Sequence, residues 1–279
     1  MAGTSISQLH VVGPVGFLAD LTRAVQDLRD GLGSIHIWPM LAWQEIRRRY
    51  RRSVLGPLWL TVSIAIMVGA MGPLYGRLFG QNLSSYFPYL ATSMVVWLLL
   101  SNLVTDSCIA FIGVEGLIKD VRLPFSVYIL SVVWKNVLIF FHNFLIVLIV
   151  LTAFGNGVGW RSLLALVGVV VVAINGVWLG LLFGLLCARF RDIPQIVTSL
   201  MQIAMFLTPV MWPSNMLGRH EWVAHWNPLF HFLELVRNPL LGKPIGAFTW
   251  VAVCAISVAG FGVTLIVFAR FRRRIAYWV

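Results

Sequence analysis

From about residue 54 onward, long apolar runs alternate with short polar breaks, and two amphipathic stretches precede them. In the first, Phe17, Leu18, Leu21, Ala24, Val25 and Leu28 recur at helical spacing against Asp20, Arg23, Asp27 and Arg29. Gly31 and Gly33 follow as a stop. This predicts a helix over Phe17 to Asp30 with Asp27 on its polar face. The second stretch, Pro39 to Arg52, carries Trp38, Leu41, Trp43, Ile46 and Tyr50 among Arg47, Arg48, Arg49, Arg51 and Arg52. Trp, Tyr and Arg mixed on a short helix suit the headgroup layer, and packing on a protein partner is compatible with that placement.

Six apolar runs follow, at about 54–79, 87–113, 126–154, 163–188, 195–212 and 247–269, each long enough to cross about 30 Å of hydrocarbon. The segment 114–125 between the second and third is short and charged. The segment 213–246 holds Trp222, Trp226, Leu229, Phe230, Phe232, Leu233 and Leu235 in pieces too short to span, which predicts re-entrant or interfacial helices before the last run. The expected fold is an all-α integral membrane protein with about six transmembrane helices. Residues 1–53 form an N-terminal segment with an amphipathic interfacial helix, and 54–279 the transmembrane domain.

Composition removes the soluble alternative. Hydrophobic residues make up 59% of the chain and charged residues 11%, too little polar surface for a water-soluble globule of this length. The net charge of +11 invites nucleic acid, but most Lys and Arg fall in loops that the runs place inside. Anionic headgroups are then the natural counter-charge, and no nucleic-acid partner is expected. The Arg47–Arg52 cluster and Arg270, Arg272, Arg273 and Arg274 hold both termini in the cytoplasm. No cleavable signal pattern precedes the first run, so that run must direct insertion. Cys108, Cys187 and Cys254 sit in apolar runs without ligand spacing and read as small hydrophobes.

Catalytic signatures are missing. Gly242-Lys243 runs into Pro244, which is no phosphate-cradling loop, and no Gly-x-Ser-x-Gly elbow occurs. His220 and His225 stand five apart, which turns the second imidazole about 140° off the first. No metal site and no catalytic residue is expected. Asp106 and Lys135 both lie about 10 to 14 Å inside the membrane, either as an interhelical ion pair or with Lys135 snorkelling to headgroups. Asn136, His142, Asn143 and Asn175 lie deeper, as helix–helix glue or as part of a pathway. Tyr75, Phe79, Tyr86, Tyr89, Trp212, Trp222 and Trp226 form either an interfacial belt or a collar whose rings stack on sugar faces.

Four segments carry a family resemblance. WQEIRRRYRRSVLGPLW (Trp43 to Trp59) resembles the opening signature of type-2 ABC exporter permeases for bacterial polysaccharides: O-antigen, capsule, teichoic acid and galactan. EGLIKDVRLPFSVYILSVVWKNVL (Glu115 to Leu138), ARFRDIPQIV with FLTPVMWP (Ala188 to Pro213) and NPLFHFLELVRNPLLGKP (Asn227 to Pro244) resemble that family's coupling segment, its helix-four turn with the end of helix five, and its outer re-entrant segment. The resemblance implies a half-transporter in the bacterial inner membrane. Two copies would pair, and two separate ATPase subunits, which bind the ATP and Mg, would dock from the cytoplasm. The substrate implied is a polysaccharide, carried on undecaprenyl diphosphate; a drug or small-lipid exporter of the same superfamily is the alternative. Helices one and five would line the conduit. Glu115, Gly116, Lys119, Asp120 and Arg122 would be the contact that carries ATPase motion into the membrane. The basic helix before Arg52 would assist.

Overall fold

The computed structural model describes residues 16–51, 56, 58–154 and 159–279. The polar start before residue 16, Arg52, the side chain of Tyr50, most of the expected opening of the first run (residues 54, 55 and 57) and part of the loop after the third run lie outside the described residues. Twelve α-helices account for most of what is described: α1 Phe17–Gly33, α2 Ile37–Tyr50, α3 Leu58–Leu78, α4 Leu83–Ile109, α5 Glu115–Asp120, α6 Phe125–Ala153, α7 Leu164–Arg189, α8 Ile193–Leu207, α9 Trp222–His225, α10 Pro228–Leu240, α11 Ala247–Phe271 and α12 Ile275–Trp278. Among the described residues five helices, α3, α4, α6, α7 and α11, are long and apolar enough to cross a membrane.

Helix ends follow local chemistry. Gly80 takes a left-handed φ of 60°, and with it Gly80 N–H reaches the Arg77 carbonyl and Gln81 N–H the Gly76 carbonyl, closing α3. Asn82 then caps α4 by accepting from Ser84 N–H at 3.0 Å. Asn227 does the same for α10 with Leu229 N–H at 3.0 Å, ahead of Pro228 in the first turn.

The run expected over 195–212 behaves differently. It is helical for only 15 residues, to Leu207, about 22 Å and short of the bilayer core. Thr208 precedes Pro209 and is extended (φ −90°, ψ 138°), as a pre-proline residue prefers, so the chain unwinds to Trp212.

The hub is α4, buried along most of its length against α3, α6, α7, α8 and α10. By contrast α3 packs mainly on α4 and α6 and turns most of its apolar surface outward. Close approach of α10 to α7 rests on Gly168: a Cβ there would lie 2.5 Å from the Leu235 carbonyl oxygen. The connections place α1, α2, α5 and α12 at one end of the bundle, the basic end. Helices α9 and α10 and the 208–212 stretch lie at the opposite end.

Candidate functional site

At the basic end, α5 stands at the tip of the hairpin formed by α4 and α6. Ile118 is its buried anchor, while Gly116, Lys119, Asp120 and Arg122 are exposed and Glu115 is half-exposed. Lys119 Nζ lies 2.5 Å from Glu115 Oε1 and 3.1 Å from the Val279 carbonyl, so α5 is tied to the segment after α12. The hydrogen bond from Lys119 holds the Glu115 carboxyl below the usual carboxylate range. Arg191, in the turn between α7 and α8, reaches the Trp278 carbonyl at 3.2 Å, and Arg189 lies over the Trp278 ring.

Helix α1 departs from the expected pattern. Asp27 is not on a solvated face; its side chain is fully buried. It accepts from Phe125 N–H (3.1 Å) and Ser126 N–H (2.9 Å), the orphan donors at the start of α6, and from Arg272 Nη2 at 2.8 Å. Ser126 Oγ donates back to the Asp27 carbonyl at 2.6 Å, and Asp20 pairs with Arg273 at 2.9 Å. The reason lies in the stripe Asp20, Ala24, Asp27, Gly31, which repeats at helical spacing and forms a second, small-residue face of the helix.

Inside the bundle above α5, Lys135 is buried with its Nζ 2.9 Å from Asp106 Oδ2. A third member was not anticipated: Glu45 of α2 lies 2.6 Å from the same ammonium. Asn136 Nδ2 donates to Asp106 at 3.0 Å. The signal was present, since Ala42, Glu45 and Ile46 share the face of α2 that turns inward. Trp43, Arg47, Arg48, Arg49 and Arg51 are exposed, and Trp43 with Arg47, Arg48 and Arg51 lines an open groove of about 720 Å³.

At the opposite end the predicted aromatics fall into two groups. Tyr75, Phe79, Tyr86 and Tyr89 form a chain of ring contacts with centroids 5.5, 6.5 and 6.3 Å apart. Tyr86 and Tyr89 are buried, and their hydroxyls serve the unwound stretch: Tyr86 to the Met211 carbonyl at 2.6 Å, Tyr89 to Pro209 and Trp212 at 2.7 and 2.8 Å. Those two rings brace the unwound stretch. Arg237 of α10, also buried, adds its Nη1 at 2.6 Å from the Pro209 carbonyl, 2.9 Å from Tyr89 Oη and 3.1 Å from Ser93 Oγ. Its guanidinium sits 4.7 Å over the Tyr89 ring. An arginine on the apolar stripe Phe230, Leu233, Arg237, Leu240 was the overlooked clue.

Trp222 and Trp226 lie apart from that group. They are exposed and line a groove of about 660 Å³ with His225, His231 and Phe248. His231 is buried, with Nε2 2.8 Å from the His225 carbonyl and Nδ1 3.3 Å from Thr249 Oγ1, which donates to Glu234 at 3.0 Å. Glu221 instead accepts from Ser214 at 2.9 Å. Between the two ends, Thr61 Oγ1 of α3 lies 2.8 Å from His142 Nδ1 and 3.3 Å from Asn143 Oδ1. Asn175 receives Trp178 at 2.7 Å and Ser257 of α11 at 2.9 Å. These polar residues join helices.

Residues 38–241 match the family described as ABC-2 type transporter. An O-antigen export system permease protein RfbA of Klebsiella pneumoniae is 25% identical over 236 residues, covering 82% of this chain and 88% of that protein. The RfbA protein of Myxococcus xanthus is 27% identical over 173 residues, 62% and 66% of the two chains. The polysialic acid transport protein KpsM of Escherichia coli is 22% identical over 206 residues, 71% and 78%.

Proposed function

The chain belongs to the ABC-2 type transporter family, and on that premise we propose that it is the membrane subunit of an ATP-driven polysaccharide exporter. The observation that carries this reading is likeness, over most of the chain, to proteins named for O-antigen export and polysialic acid transport. The cargo is an O-antigen-like glycan on an undecaprenyl diphosphate carrier. The permease is an integral protein of the bacterial inner membrane and works as a pair, with two ATPase subunits that bind ATP and Mg.

The basic end faces the cytoplasm, where Arg47–Arg51 and Arg270–Arg274 meet anionic headgroups. The exposed residues of α5, Gly116, Lys119 and Asp120, with the half-exposed Glu115 and with Arg122 just after the helix, receive the ATPase. Nucleotide-dependent ATPase binding then biases the permease between inward and outward states. Helices α3 and α8, the least embedded in this chain's own core, line the conduit between the two copies.

Loss of this chain from its own bacterium should leave lipid-linked glycan on the cytoplasmic side and strip it from the cell surface. Surface glycan at normal level in that strain rejects the reading.

A further inference from the structure

Helix α2 is held to the bundle by two kinds of contact. One is apolar: Ala42 and Ile46 are buried, and Trp38 meets Trp134 of α6 edge-on at 5.5 Å. Such a surface resists separation but does little to fix the register of one helix along another. The other contact is ionic and directional: Glu45 of α2 and Asp106 of α4 both grip Lys135 of α6, at 2.6 and 2.9 Å. Lys135 is buried and Asp106 mostly so, while the Glu45 side chain is 42% exposed; the shared ammonium still gives both contacts a fixed direction and so specifies position. The group sits about two to three turns from α5, on the two helices that flank it.

Beside the triad lies a cavity of about 130 Å³. Glu45, Asp106 and Lys135 form one wall, and Gly113 and Val114, at the root of α5, form another. Tyr128 also lines it, and its hydroxyl is buried with no hydrogen-bond partner among the described residues. Arg48 lines the same space. The space is large enough for about four waters. The root of α5 therefore has room to shift while the charges above it stay engaged.

We infer that Glu45, Lys135 and Asp106 form a rigid joint that makes α2 travel with the α4–α5–α6 hairpin when the ATPase displaces α5. Helix α2 leads by a short connection into α3, whose main contacts are with α4 and α6. Motion received by α5 thus reaches the foot of the conduit helix by a second route. Glu45, Lys135 and Asp106 are positioning residues. The conduit role of α3 rests on the exporter reading; the rigidity of the joint does not.

The test uses the whole complex of permease and ATPase in vesicles, with lipid-linked glycan. Glu45→Gln removes only the hold on α2 and leaves Lys135 and Asp106 paired. Glycan moved per ATP hydrolysed should fall about tenfold, with ATPase rate within about twofold of wild type. Glu45→Asp, which keeps the charge, should recover part of the loss. Unchanged glycan per ATP in Glu45→Gln overturns the joint, and so does a parallel loss of ATPase and export. The double variant Asp106→Asn/Lys135→Met leaves only Glu45, whose side chain is 42% exposed, without its ammonium and should uncouple in the same way.

A second measurement needs no cargo. Spin labels at Gln44→Cys on α2 and Phe141→Cys on α6, in a Cys254→Ser background, should keep one distance through the nucleotide cycle and lose it in Glu45→Gln. A wild-type distance that changes with nucleotide sinks the joint. Wild-type complex that moves no glycan while keeping that distance constant counts against the exporter reading alone.

Discussion

Two buried cations hold the two ends of this bundle, and they are treated differently. Lys135 at the basic end faces two carboxylates, one from α2 and one from α4. Arg237 at the opposite end pairs with no carboxylate among the described residues; it is held by a backbone carbonyl, two hydroxyls and the face of Tyr89. The chemistry of the side chains accounts for the contrast. Ammonium is compact and strongly hydrated, so burying it calls for opposite charge close by. Guanidinium is planar, delocalised and weakly hydrated, so dipoles and a ring face suffice. The partners differ too: Lys135 ties three helices to one another, whereas Arg237 ties α10 and α4 to a stretch where helix has stopped.

The comparison breaks most visibly at Arg237. Arg237→Ala leaves the Pro209 carbonyl and the Ser93 hydroxyl without their guanidinium donor and should cost about 3 kcal/mol, since hydrogen bonds to a charged group are worth roughly 1.5–3 kcal/mol. Thermal unfolding of the purified permease in lipid nanodiscs reads this directly. Arg237→Lys should recover little, because ammonium cannot stack on Tyr89 while reaching three acceptors. If Lys at 237 melts with wild type, the distinction drawn between the two cations is wrong.

A second ionic tie at the basic end sharpens the contrast at lower cost. Asp27→Asn keeps the shape of the side chain and can still accept one of the two α6 N–H groups, but it loses the charge that meets Arg272. About 1–2 kcal/mol should go, in the range of losing a good helix cap plus its dipole interaction. Limited proteolysis should then cut α1 from the bundle faster than in wild type. Equal rates would mean that apolar packing alone seats α1.

How far the sequence carries depends on the kind of residue. The apolar runs were legible because a bilayer demands continuous hydrophobicity, and α3, α4, α6, α7 and α11 lie within a few residues of where it predicts them. The fifth run was misjudged in length because hydropathy does not see that Pro209 forces Thr208 to be extended. At Asp27 the charge itself misled, and Arg237 drew no reading at all: each sits on a buried stripe whose partners lie more than a hundred residues away or on another helix. Glu45 was lost among five neighbouring arginines that mark topology, and only Lys135 explains it. The bracing role of Tyr86 and Tyr89 was missed beside the belt and collar readings because sequence gives no count of the carbonyls that Pro209 leaves unpaired.

The smallest effect belongs to the Glu115–Lys119 pair on α5, and it tests whether exposure governs the value of charge here. Both side chains are about half-exposed, so solvent screens them and Glu115→Gln should leave unfolding in nanodiscs nearly unchanged at neutral pH. The residual contribution has a definite sign. Lys119 holds the Glu115 carboxyl below its ordinary range, so the contribution is present above the unfolded-state value, about 4.3, and disappears as pH falls through the lower folded value. Lys119→Ala should do slightly more than Glu115→Gln, because Lys119 also reaches the Val279 carbonyl and so ties α5 to the end of α12. Salt at about 0.5 M should erase the Glu115→Gln difference while leaving the Arg237→Ala deficit intact, since screening acts on exposed charges and hardly on buried ones. Equal salt sensitivity of the two variants would show that water reaches Arg237, and the opposite end would then have to be redrawn as an aqueous vestibule.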